Sequence, residues 1–170
     1  MSRVQLALRV SDLDGSVAFY RKLFGVEPAK RRPGYANFAI VEPPLKLVLI
    51  EGEADRPTVM DHLGVEVETT EEVHAATQRL SELGLFTKVE DDTTCCYALQ
   101  DKVWVHGPGA EPWEVYTVKA DAPEATGIHP AGASPAADGD CVCGTPMRAA
   151  DTGSPDAGDE AACCGPAAAG

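Results

Sequence analysis

Residues 4–10 (VQLALRV) alternate between apolar and less apolar positions with a period of two, which predicts a half-buried strand. Val4, Leu6, Leu8 and Val10 fall on one face, and Gln5, Ala7 and Arg9 on the other. Residues 12–24 then change to a helical period, with Val17, Tyr20, Leu23 and Phe24 on one side. Asp12 or Asp14 can cap the start of this helix and Gly25 its end. Three short strands are predicted next, at 26–30, 35–41 and 45–51. They are separated by the turn signals Arg32-Pro33-Gly34 and Pro43-Pro44.

The same order recurs. Residues 62–68 (HLGVEVE) alternate again, with Leu63, Val65 and Val67 on one side. Residues 70–83 read as a helix that ends at Gly84. Strand signals follow at 85–90, 97–100, 103–106 and 113–118, and residues 91–94 read as a polar, mobile loop able to close over a ligand. The chain therefore predicts an α+β domain built from two strand-helix-three-strand modules. The repeat lies in the element order, because residue identity between the copies is low.

Composition divides the chain. Residues 121–170 are rich in Ala, Gly and Pro, lack aromatic residues, and carry few large aliphatics (Ile128, Val142, Met147). Such a segment buries too little apolar surface to offset its ordering entropy. It is expected to be a disordered tail after a folded domain at 1–120. The net charge is -13, about half of it in the tail, which argues against a nucleic-acid face. The N-terminus is interrupted by charge, so no signal peptide or membrane span is expected. The predicted compartment is the cytoplasm, where thiols stay reduced.

All six cysteines come in close pairs: Cys95-Cys96, Cys141 with Cys143, and Cys163-Cys164. Neighbours this close strain a mutual disulfide, so each pair reads as a dithiol. None has the C-x₂-C spacing common in zinc sites. Paired thiols suit a soft centre such as trivalent arsenic or Cd²⁺.

The element order over residues 4–118 resembles the vicinal oxygen chelate superfamily. Residues 10–25 (VSDLDGSVAFYRKLFG) and 111–116 (EPWEVY) look like its helix and its last strand. The resemblance implies two βαβββ modules forming a curled eight-stranded sheet around a metal site. The family's ligand positions, on the first strand of each module and the last strand of the second, fall on Gln5, His62 and Glu114. Strand parity agrees, since each opposes the apolar face of its own strand. The equivalent strand of the first module offers only Glu51, at its edge. One imidazole, one carboxylate and one further ligand suit non-haem Fe(II) and oxygen chemistry. Gln5 stands where a second histidine is usual, and Zn²⁺ would also bind such a set. His74 reads as exposed, and His106 as a strand-end residue with a possible second-sphere role.

Read with Cys95 and Cys96, the segments 89–97 (VEDDTTCCY) and 103–109 (VWVHGPG) resemble the bacterial organoarsenical carbon–arsenic lyases and their relatives, the cadmium-induced proteins. That resemblance implies Fe(II)- and O2-dependent cleavage of trivalent organoarsenicals, such as methylarsenite and reduced aromatic arsenicals, to arsenite. Cys95 and Cys96 would hold the arsenic, with the tail thiols as accessories. The protein would be a monomer or homodimer acting on a small molecule. Two other classes stay open: a non-catalytic cadmium or arsenite buffer, and a glyoxalase-like isomerase or ring-cleaving dioxygenase.

Overall fold

The computed structural model describes residues 2–123. The expected tail falls almost wholly outside the described residues, as do Cys141, Cys143, Cys163, Cys164 and His129. The first module comprises β1 (Arg3–Val10), α1 (Leu13–Phe24), β2 (Lys30–Arg32), β3 (Tyr35–Ile40) and β4 (Leu45–Glu51). The second comprises β5 (Val59–Glu66), α2 (Thr70–Glu82), β6 (Lys88–Cys95), β7 (Ala98–His106) and β8 (Pro112–Asp121).

All strands join one sheet in the order β2-β3-β4-β1-β5-β8-β7-β6. Each module contributes a block in which its first strand lies beside its last, and the two first strands meet antiparallel at the centre. Within each block, first and last strands run parallel, β1 with β4 and β5 with β8. The expected repeat is thus a structural one, and the curled eight-stranded sheet is the architecture observed.

Local chemistry explains the helices. Asp12 accepts from the Gly15 amide at the start of α1, and Gly25 closes it in the left-handed region with φ 66°. Thr69 and Glu72 form a reciprocal capping box on α2. Both helices pack on the convex face. Leu13 and Val17 join Phe38, Leu47 and Leu49, while Val73 and Leu80 join Val103. The concave face is left for a mixed set: Ala7, Tyr35, Val48, Ile50, Cys95, Cys96 and Tyr97.

Three expectations need correction. Residues 26–30 are largely irregular, and the strand begins only at Lys30. Residues 91–94 are no loop, because β6 continues through them to Cys95. Their poor strand propensity is accommodated by a bulge between Glu90 and Thr93, where Asp101 Oδ1 takes the Asp92 amide at 2.7 Å. The predicted strands at 97–100 and 103–106 are one strand, β7. The polar pair Asp101-Lys102 was left between the two predicted strands, yet both residues pair with β8 and bury their side chains.

Candidate functional site

The concave face brings Gln5 of β1, His62 of β5 and Glu114 of β8 together. All three are buried. Gln5 Nε2 lies 3.0 Å from His62 Nε2 and 2.6 Å from Glu114 Oε1. His62 Nε2 is 3.3 Å from Glu114 Oε1. The register creates this meeting: Gly64 pairs with Gln5 on one side and with Glu114 on the other. A Cβ on Gly64 would stand 3.1 Å from Glu114 Cγ and 3.2 Å from Gln5 Cβ, so the absent side chain leaves the space these groups occupy.

These separations fit a cation. Donors held about 2.1 Å from one ion at right angles lie about 3 Å apart. One adjustment is needed, because Gln5 directs its amide nitrogen inward while its oxygen accepts from the Tyr116 hydroxyl. Turning the amide by half a circle offers the oxygen to the centre and leaves Tyr116 as acceptor. The same turn suits a proton on His62, since an imidazolium Nε2 and an amide nitrogen are both donors.

The surroundings hold each group in place. His62 Nδ1 is 2.6 Å from Asp61 Oδ1, and Asp61 Oδ2 is 2.5 Å from Arg9 Nε. This partner fixes the ring so that Nε2 faces the centre. Burial opposes charge on His62, yet hydrogen bonds to Asp61 and Glu114 outweigh it and raise its pKa to about 9. Burial likewise opposes charge on Glu114, but the Lys102 ammonium, 3.2 Å from Oε2, leads the effects that hold it well below the usual carboxylate range. Trp104 sets its ring edge-on to His62 at 5.5 Å between centroids. Lys46 pairs with Gln5 across β1 and β4, while Val48, paired with Ala7, stands at the position equivalent to Glu114 in the first module. Lys46 is bound to Glu66 at 3.3 Å and also lines the cavity, and the apolar Val48 offers no fourth ligand. Glu51, the edge candidate, is exposed and takes no part.

Cys95 and Cys96 reach this centre on a tight hairpin. Cys95 pairs with Ala98, and the two residues between, Cys96 and Tyr97, have φ of 52° and 63°. Two positive φ values define a type I′ turn, usually made by Asn and Gly. Holding it without glycine stores backbone strain of order 1–3 kcal/mol per residue. Outside contacts over-determine it. Tyr97 OH donates to Pro33 O at 2.9 Å, and Tyr97 O accepts from Lys30 Nζ and the Ala122 amide, each at 3.0 Å. Tyr97 also packs on Tyr35 at 5.7 Å. The second module's hairpin is thereby tied onto the first, which closes the cup. The two sulfurs lie 3.4 Å apart, far beyond the length of a mutual disulfide. Burial pushes the Cys96 thiol up to about 12, with Lys102 partly offsetting it.

One small cavity of about 20 Å³ is lined by Gln5, His62, Glu114, Cys95, Cys96 and also Gln100 and Lys102. The predicted donor set and the two predicted arsenic-binding cysteines thus share a chamber. Sequence reasoning passed over Asp61, Gly64, Gln100, Lys102 and Tyr116. Parity could have flagged three of them, since Gln100 and Lys102 share a face with Trp104 on β7, and Tyr116 shares one with Glu114 on β8. His74 is exposed as expected, and half-buried His106 ends β7.

The chain belongs to the Glyoxalase/Bleomycin resistance protein/Dioxygenase superfamily, whose sequence pattern matches residues 3–115. Within it, the chain is 59% identical over 164 residues to a trivalent organoarsenical cleaving enzyme of Thermomonospora curvata, covering 96% of this chain and 100% of that protein. It is 63% identical over 121 residues to the cadmium-induced protein CadI of Mycobacterium tuberculosis, covering 71% of this chain and 79% of that one. The expected kinship with both groups is borne out. Among solved structures, a Mn(II)-bound glyoxalase from Novosphingobium aromaticivorans matches with a TM-score of 0.52 at 21% identity, over 72% of this chain and 42% of that one. An extradiol ring-cleaving dioxygenase from B. fuscum matches at 0.51 and 23%, over 71% and 33%. These two likenesses concern the fold. No helix among the described residues is long and apolar enough to cross a membrane.

Proposed function

We propose that this protein is a cytoplasmic, Fe(II)- and O2-dependent lyase that cleaves the carbon–arsenic bond of trivalent organoarsenicals and yields arsenite. The observation that carries the reading is the shared chamber. Gln5, His62 and Glu114, a hard-donor set once the Gln5 amide turns, line the same small cavity as Cys95 and Cys96, whose sulfurs in reduced form suit a soft centre. The identity to a trivalent organoarsenical cleaving enzyme supports it. A buffer for soft ions has no use for the hard donors, and an isomerase or ring-cleaving dioxygenase has none for the dithiol.

Gln5, His62 and Glu114 would hold the iron. Bound there, it supplies the activation of O2. The chain's own residues do the rest. An organoarsenical with two hydroxyls on arsenic condenses with the reduced thiols of Cys95 and Cys96. Two As–S bonds form, two As–O bonds break, and each thiol proton leaves on a hydroxyl as water. The protonated Cys96 suits this exchange, because no net charge enters the cavity. Lys102 keeps Glu114 ionised and neutralises it. The dithiol fixes arsenic, so the carbon it bears is held beside the donor set, which lowers the entropic barrier. A cavity of about 20 Å³ admits little more than a water, so substrate enters as the Cys96-Tyr97 turn lifts from Pro33 and Lys30. Cys141, Cys143, Cys163 and Cys164 serve as accessory metalloid thiols.

The test is anaerobic loading with Fe²⁺, then admission of air and methylarsenite, with arsenic speciation by chromatography. Arsenite formed only with iron and oxygen supports the lyase. Stoichiometric retention of intact methylarsenite without arsenite supports the buffer.

A further inference from the structure

Gln100 lines the same chamber, and the chemistry above gives it no part. It stands on β7 two residues before Lys102, on the same face of the strand, and is 6% exposed. Its Nε2 donates to the backbone oxygen of Cys95 at 3.4 Å. That bond settles the orientation of the amide, since only the nitrogen end can face a carbonyl. The amide oxygen is left buried, and among the described residues it has no hydrogen-bond partner. A buried carbonyl oxygen without a donor is costly, and native structures rarely tolerate one without a reason. Lys102, the nearest strong donor along the strand, is engaged by Glu114. A donor for it is one that a molecule in the chamber beside Cys95 and Cys96, water or ligand, can bring.

The arsenical chemistry supplies one kind of donor. Arsenite carries three hydroxyls; condensing with two thiols releases two waters and leaves one As–OH. Methylarsenite carries two; the same condensation releases both and leaves a methyl group in the third position. A hydroxyl and a methyl are close in size, so only the hydrogen bond distinguishes the two captured species. We propose that Gln100 is a positioning residue whose amide oxygen accepts a hydrogen bond from a hydroxyl on arsenic, so that the Cys95–Cys96 pair favours the hydroxyl-bearing species. This rests on the arsenical reading of the site. It implies that the chamber stabilises the product of carbon–arsenic cleavage more than the captured substrate, which would make product release a slow step.

The test uses the full-length chain carrying C141S, C143S, C163S and C164S, reduced, metal-free and anaerobic, so that capture occurs without turnover. Dissociation constants for arsenite and for methylarsenite are measured by equilibrium dialysis, with and without Gln100→Met, a near-isosteric change that removes the acceptor. Arsenite affinity is expected to fall about tenfold, the effect of one lost hydrogen bond, with methylarsenite held within about twofold. Equal effects on both ligands, or none on either, overturn the proposal. Gln100→Asn, which withdraws the oxygen by one methylene, is read by the same ratio if the methionine variant does not fold. C95S and C96S are run alongside. If they leave both ligands bound as before, the dithiol reading itself fails, an outcome distinct from an unchanged ratio on a functioning dithiol.

Discussion

Gly64 and Glu114 are paired across β5 and β8, and a Cβ on Gly64 would come within 3.1 Å of Glu114 Cγ. The same Cβ would lie 3.3 Å from Gln5 Nε2, so one added methyl presses on two of the three donors at once. Gly64→Ala is expected to cost about 1–3 kcal/mol of stability through overpacking. It should weaken divalent-metal binding roughly tenfold by spreading Gln5 and Glu114. Anaerobic calorimetry with Fe²⁺ reads this directly. Unchanged affinity would mean that these two side chains do not jointly hold the ion.

Lys102 and Glu114 form an ion pair that is almost wholly excluded from solvent. Removing the cation with Lys102→Met leaves the buried carboxylate only part of its compensation, from His62, at a cost of up to about 3–5 kcal/mol. A divalent ion coordinated by Glu114 would restore the compensation. The variant should therefore gain more in melting temperature from saturating Mn²⁺ than the parent does. Equal gains in both proteins would place the metal away from Glu114.

His62 gives a pH dependence of defined sign. Its folded pKa is raised to about 9, whereas an unfolded histidine titrates near about 6.5. In the metal-free protein the imidazolium therefore stabilises the fold fully below about 6.5, and that contribution is lost as pH rises through about 9. Metal binding runs the other way, since the ion must displace the same proton. Between pH 6.5 and 8.5, Mn²⁺ affinity should rise about tenfold per pH unit, and His62→Ala should abolish both the slope and the tight binding. A flat affinity across that range would remove His62 from the ligand set.

The frame of the protein was legible in its pattern. Period-two runs at residues 4–10 and 62–68 located β1 and β5. Parity then placed Gln5 and His62 on the face that became the cup. The neighbouring Cys95 and Cys96 were marked by chemistry alone as a pair suited to a soft centre, and the fold puts both at the chamber. What escaped were features created by pairing across the sheet. Asp101 and Lys102 were left between two predicted strands, because nothing local shows that β8 and Glu114 will receive their charges. Residues 91–94 read as a loop, because Asp91 and Asp92 are poor strand formers. Only the bulge, bonded to an aspartate on the neighbouring strand, makes them strand. Gly64 carried no signal at all, since its value lies in what stands on either side of it.

The dithiol and the metal donors should separate under mutation. Cys96→Ser replaces a soft sulfur with a hard hydroxyl that binds trivalent arsenic poorly. Cys96 is buried beside the donor set without being one of it. Methylarsenite capture should fall by at least about a hundredfold, while Fe²⁺ affinity stays within about threefold of the parent. Full turnover by a variant with both Cys95 and Cys96 changed to serine would remove the role assigned to the pair.

Asp101 governs the approach to that pair. Its carboxylate takes the Asp92 amide at the bulge at 2.7 Å, accepts from the Thr70 hydroxyl on α2, and meets Lys119 Nζ at 3.1 Å. Asp92 has φ 51°, so the bulge sits in a conformation that few non-glycine residues adopt, and Asp101 is what holds it there. Three residues further along β6 is Cys95, and the hairpin follows at once. Asp101→Ala removes the acceptor for the bulge and should cost about 1–3 kcal/mol. The slack it creates lies between α2 and the dithiol, away from Gln5, His62 and Glu114. The expected signature is a raised KM for methylarsenite with Fe²⁺ affinity unchanged, and partial recovery in Asp101→Asn, whose side-chain oxygen can still accept from the Asp92 amide. A parallel loss of metal affinity would show instead that the network supports the whole cup and not the dithiol arm.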